Sequence, residues 1–215
     1  MDRVRSTDRW LIALGLAFVV ALGLALLVLS LYRPSQPPRE REDVGAGLSV
    51  TTDLPSSLAE GPTARQAYPP AMDVARSWQA DGHLAVVSAH WRPRQGRWPT
   101  EVTWMFQFYS PAARRLAVVV VEGGRARLLR EALSPYPLPS FSEADWQVDS
   151  LAALDAWWSA GGATFLSIHS EVDLMAQLRP LEGGGGQPMW TVTGIAGDQV
   201  KNLVVDGMTG EQVQN

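Results

Sequence analysis

The chain has 215 residues, no cysteine, 46% apolar residues and a formal net charge of −4. That length allows one or two domains with cores of their own, and the missing cysteine excludes a disulfide framework. The acidic balance excludes nucleic acid as a partner.

Residues 1–9 form a short tail carrying Arg3, Arg5 and Arg9. Leu11 to Leu31 follow as 21 residues without a charge, flanked by Trp10 and Tyr32. A helix of that length crosses the hydrocarbon core of a bilayer, and amphipathic rings sit at its two interfaces. The segment at 10–32 is read as a single-pass transmembrane helix whose contact is membrane lipid. A cleaved leader would have a shorter apolar run ending in a small-x-small site, whereas this run continues through Leu26-Leu27-Val28-Leu29. Arg33, Arg39 and Arg41 balance the three arginines before the run. The long polar C-terminal part sets the orientation instead, because long domains translocate largely regardless of charge. The expectation is a cytoplasmic N-terminus and an extracytoplasmic domain at the cell membrane.

Residues 33–70 hold seven prolines and the mixed cluster Arg39-Glu40-Arg41-Glu42-Asp43, the pattern of a semi-rigid linker. Packing of Leu48 to Leu58 on the domain surface remains an alternative.

From Ala71 the chain reads as helix, strands, helix, strands. Helical spacing covers Met72 to Ala80, and strand signals cover His83 to Trp91, Val102 to Tyr109 and Leu116 to Glu122. Gly123-Gly124 makes a hairpin turn, and Ala126 to Leu129 a short strand. The first α+β unit thus spans 71–133 and a Pro-rich connector 134–148. Asp149 or Ser150 caps a helix to about Ala160, followed by a short helix over Ala163 to Ser170. Strands are expected at Val172 to Leu181, Met189 to Ile195 and Val200 to Asp206. The fold class is α+β, built from helix-plus-antiparallel-sheet units.

The two halves look alike. Trp104 opens a strand that returns at Val121, and Trp190 one that returns at Val205. Trp78 late in the first helix matches Trp157-Trp158 late in the second. Two tandem units and one α+β domain with chance likeness both account for this order.

Pro188-Met189-Trp190-Thr191-Val192 and Val204-Val205-Asp206-Gly207-Met208-Thr209-Gly210-Glu211 carry a family resemblance. The unit at 149–213 resembles the PepSY domain, a helix-plus-antiparallel-sheet module of exported and membrane-attached bacterial proteins. Residues 71–130 would be a divergent first copy, since Glu122-Gly123-Gly124 lacks Thr-Gly-Glu. The resemblance implies binding outside the cell and regulation of proteases, with no residue signature for either. Asp206, Thr209, Gly210 and Glu211 are read as a structural turn, in which short polar side chains bind backbone N–H groups and Gly takes positive φ.

No nucleophile elbow, phosphate loop or His-Glu-x-x-His occurs. His83 and His90, seven apart on one strand, should face opposite ways, which speaks against a shared metal. Glu143, Asp145 and Asp149 are read as acids at a helix start. No catalytic residue, cofactor or metal is assigned, and the chain is not read as an enzyme. Trp91, Arg92, Arg94, Arg97 and Trp98 are the candidate interaction surface, for anionic lipid or an acidic partner. The alternative is a loop with tryptophans turned inward and arginines solvated. The expected role is a binding or regulatory module acting on a protein partner, a peptidase or an envelope complex. An accessory subunit of a membrane assembly is the other reading, with Gly15, Gly23, Ala17, Ala21 and Ala25 permitting close helix contacts.

Overall fold

Alternating apolar and polar residues in the computed structural model, which describes residues 54–93, 98–99, 101–181 and 185–213, resolve into eight strands of one antiparallel sheet. The anchor expected at 10–32, the tail at 1–9 and the linker up to residue 53 lie outside the described residues. Among the described residues no helix is long and apolar enough to cross a membrane.

The strands are β1 (His83–Trp91), β2 (Trp104–Ser110), β3 (Arg115–Glu122), β4 (Arg125–Leu133), β5 (Asp173–Pro180), β6 (Pro188–Ala196), β7 (Gln199–Asp206) and β8 (Gln212–Val213). Their order across the sheet is β4-β3-β2-β1-β5-β6-β7-β8. The helices are α1 (Ser56–Ala59), α2 (Ala64–Trp78), α3 (Ser150–Trp157) and α4 (Ala163–Ile168). A π-turn at Trp158–Gly162 joins the last two. Helix α2 packs over β2, β3 and β4, and α3 over β5, β6 and β7.

Helix α2 starts at Ala64, eight residues before the expected start. Residues 64–70 therefore belong to the first unit and not to the linker. Pro69 and Pro70 lie inside the helix, where proline removes N–H donors and usually ends helical structure. Packing overrides that preference: Ala64, Ala67, Tyr68, Ala71 and Ala75 are buried against the sheet. Thr63 and Gln66 form a capping box at its start.

The two units meet in the middle. Strand β1 pairs antiparallel with β5, with Ala89 opposite Ala176 and Val87 opposite Leu178. Above these small and medium residues the rings of Trp104 and Trp190 meet at 6.5 Å, edge to face. Trp91 touches Trp104, and Trp146 touches Trp190, Tyr68 and Phe141. This aromatic chain runs unbroken across both units, so each unit closes the other's core. The helix starts interlock as well. Ser150 Oγ accepts the Ala64 N–H at 3.0 Å, and Asp149 Oδ1 accepts the N–H groups of Arg65 at 3.1 Å and Ser150 at 2.7 Å. One carboxylate thus satisfies donors at the N-termini of two helices, which otherwise lack partners.

Three further expectations are corrected. Strand β4 runs to Leu133, four residues beyond the expected end. His83 and His90 share a face, because a bulge between Leu84 and Val86 shifts the alternation by one: His83 is in register with Tyr109, and Ser88 with Met105. Trp78 does not match Trp157: it is half-buried and donates to Glu131 Oε2, whereas Trp157 is fully buried and donates to the Lys201 carbonyl.

Candidate functional site

The Arg/Trp segment leaves the end of β1. Trp91 is 2% exposed and belongs to the core, which corrects its placement on a surface; Trp98 packs partly buried against the same core. Arg92 grips Asp173 at the start of β5 through two bonds of 2.8 Å, Nε to Oδ1 and Nη2 to Oδ2. This bidentate pair holds the Asp173 carboxyl below the ordinary carboxylate range. Arg94 and Arg97 lie outside the described residues. The tryptophans therefore turn inward, and Arg92 stays solvent-exposed while it pairs with Asp173 at the surface.

The C-terminal turn is assembled from local bonds. Asp206 Oδ1 accepts the N–H groups of Met208 and Thr209, and Thr209 Oγ1 accepts that of Glu211. Gly210 sits at φ +80°, a region costly for any residue with a Cβ. The turn also holds the chain that enters α3. The Gly207 carbonyl accepts the N–H groups of Gln147 and Val148 at 2.9 and 2.8 Å. A Cβ at Gly207 would lie 2.6 Å from the Pro188 carbonyl oxygen. These contacts make the turn a clamp on the second unit.

Several further titratable groups take part in local structure. Asp81 accepts the Ala112 N–H and the Ser110 hydroxyl, which lower its pKa. Burial raises that of Tyr68, and the nearby Glu143 carboxylate adds to the effect. Asp149 is the cap of α3, while Glu143 and Asp145 form a 3₁₀ turn before it. His169 packs against Phe165 with the rings tilted and their centroids 4.6 Å apart. Among the described residues no group of His, Asp and Glu is arranged to hold a metal ion. An open cleft of about 150 Å³ on the helix-free side is lined mainly by Ala85, Val86, Leu138, Pro139 and Pro180, with Gln107 and Arg179 as its polar groups.

Sequence reasoning missed one surface. Among the described residues the whole of β4 is a free edge, and all of it but Ala126 is exposed. Its Arg-Leu-Leu-Arg centre lacks clean alternation, so only its β-compatible start was readable.

No protein-family model and no curated protein matches the chain. Among solved structures, it is similar to a protein described as a "putative lipoprotein" from Clostridium difficile 630, with 10% identity and a TM-score of 0.44 over 68% of this chain and 90% of that one. At that distance the likeness says nothing further about this chain.

Proposed function

We propose that the chain is a membrane-anchored, extracytoplasmic module that works by binding a protein partner, with PepSY-like units as its scaffold and a peptidase or envelope complex as its target. The anchor reading rests on the uncharged run Leu11 to Leu31. The PepSY-like reading is supported by the Asp206–Glu211 turn and by the α-then-antiparallel-strand order of each half. The observation that carries the binding role is β4, a nine-residue free edge whose leucines and arginines face solvent. Large exposed apolar side chains on a sheet edge mark an interaction surface or an aggregation hazard.

The test separates a binding domain from an accessory subunit that works through its anchor. Leu11 to Leu31 is replaced by an unrelated apolar span, and the full chain is cross-linked in cells and purified in mild detergent. A partner retained by the swapped chain supports the domain reading. A partner lost with the native anchor, or none with either chain, overturns it.

A further inference from the structure

Among the described residues, strand β4 has a neighbour on one side only, β3. A bulge at Leu129 interrupts the pairing, since Val118 is opposite Arg130 and Val119 opposite Leu128. The bulge resets the alternation. Arg125, Arg127 and Arg130 register with Glu122, Val120 and Val118 and so line the helix-free face together. Ala126 and Leu128 register with Val121 and Val119 on the helix side. Among the described residues these three arginines form no ion pair. The strand's one acid, Glu131, is already taken by Arg115 and the Trp78 indole. A basic stripe thus stands on a domain that is acidic overall.

Sheet edges are commonly protected by charge and by bulges. Protection does not account for Leu128, Leu129 and Leu133, which are 41%, 51% and 75% exposed. Arginine beside large apolar groups is the composition of an interface core, where other charged residues are depleted. An anionic lipid surface would meet the guanidiniums but leave the outward N–H and C=O groups of β4 without use. An added strand uses both.

We propose that β4 is the docking edge for an extended segment of a protein partner in which acidic and aliphatic residues alternate. Successive side chains of that strand point to opposite faces. Its carboxylates meet Arg125, Arg127 and Arg130 on the helix-free face, and its aliphatic side chains meet Ala126 and Leu128 on the other. The proposal rests on the binding-module reading and names its surface and the partner's chemistry.

The probe is a labelled synthetic peptide of alternating glutamate and valine, titrated by fluorescence anisotropy into the full chain in zwitterionic nanodiscs. Binding should weaken with salt, and a lysine–valine peptide should not bind. The triple variant R125Q/R127Q/R130Q should keep its melting temperature and bind about tenfold or more weakly. Methylating alternate peptide amides should abolish binding in one phase and spare it in the other, because only every second N–H faces the edge. Equal binding by the triple variant overturns the proposal, as does equal binding by peptides methylated in either phase. So does a wild type that binds anionic vesicles and not the peptide. Should peptide binding fail while the anchor-swapped chain retains its partner, the edge assignment falls and the binding-module reading stands.

Discussion

Trp104 and Trp190 do the same job at the same distance. Each indole N–H donates at 2.8 Å to a backbone carbonyl 42 residues upstream, Pro62 for the first and Val148 for the second. Each of those carbonyls belongs to the residue just before a helix cap, Thr63 and Asp149. Cap, carbonyl and tryptophan all recur after 86 residues. Each tryptophan also faces the returning strand in register, Trp104 with Val121 and Trp190 with Val205. The two halves thus share this local arrangement and pack ring to ring.

This equivalence predicts comparable costs, the larger at Trp104. Trp104→Phe and Trp190→Phe each remove an indole donor and open a small void; the first also takes the indole from the Pro62 carbonyl, whereas the Val148 carbonyl keeps the Trp146 N–H at 2.8 Å. Each should cost about 2–4 kcal/mol in chemical denaturation. The double variant should depart from additivity by about 0.5 kcal/mol or more, because the rings touch. Additive losses would show that the halves do not share a core.

Asp149 should matter more than Thr63. Thr63 caps one helix, and losing such a cap costs about 1 kcal/mol. Asp149 serves donors of two helices, so Asp149→Ala should cost roughly twice as much. Equal losses from the two substitutions would remove the shared cap from the account.

The C-terminal turn predicts sharp sensitivity at its glycines. Gly210→Val forces a β-branched residue into positive φ and should destabilise the fold markedly. Gly207→Ala should do so through its clash with the Pro188 carbonyl. Asp206→Ala should cost about 1–2 kcal/mol by leaving N–H groups unpaired. Thermal melts of the full chain decide these, and a Gly210→Val variant that melts like wild type would contradict the turn.

Acid should weaken the fold through two carboxylates. Hydrogen bonds from Ala112 N–H and the Ser110 hydroxyl hold the Asp81 carboxyl below the ordinary aspartate range, and the Arg92 guanidinium does the same for Asp173. A depressed folded pKa contributes stability that is present above the unfolded value and is lost as pH falls through the folded one. The melting temperature should therefore drop below about pH 4. The double variant Asp81→Asn/Asp173→Asn should show a flatter acid limb and a lower plateau near neutrality. An unchanged acid limb would contradict both assignments.

Much of this architecture was legible because it is local. Strand β1 matches its expected bounds, and the β6–β7 hairpin closes at Gly197-Asp198 as read. The first was readable from its β-compatible Leu84, Val86 and Val87, and the hairpin from two β-branched runs on either side of a turn. The Asp206–Glu211 turn was legible for the same reason, since its bonds span at most five residues. What escaped depends on distant contacts. Pro69-Pro70 reads as a helix boundary until the sheet packs on Ala67 and Ala71. The bulge that brings His83 and His90 to one face leaves no mark in the sequence, and neither does the bond from Arg65 N–H to Asp149. Strand β4 was half-read because an exposed edge needs no apolar face, and its arginines make sense only beside β3.

The central claim is that a domain outside the membrane, held by an uncleaved N-terminal anchor, does the binding. Topology tests it most directly. Alkaline phosphatase fused after Asn215 should be active, a cytoplasmic reporter at the same site should be silent, and the full-length fusion should resist a carbonate wash. A silent phosphatase with an active cytoplasmic reporter, or release of the intact chain by carbonate, would contradict the account.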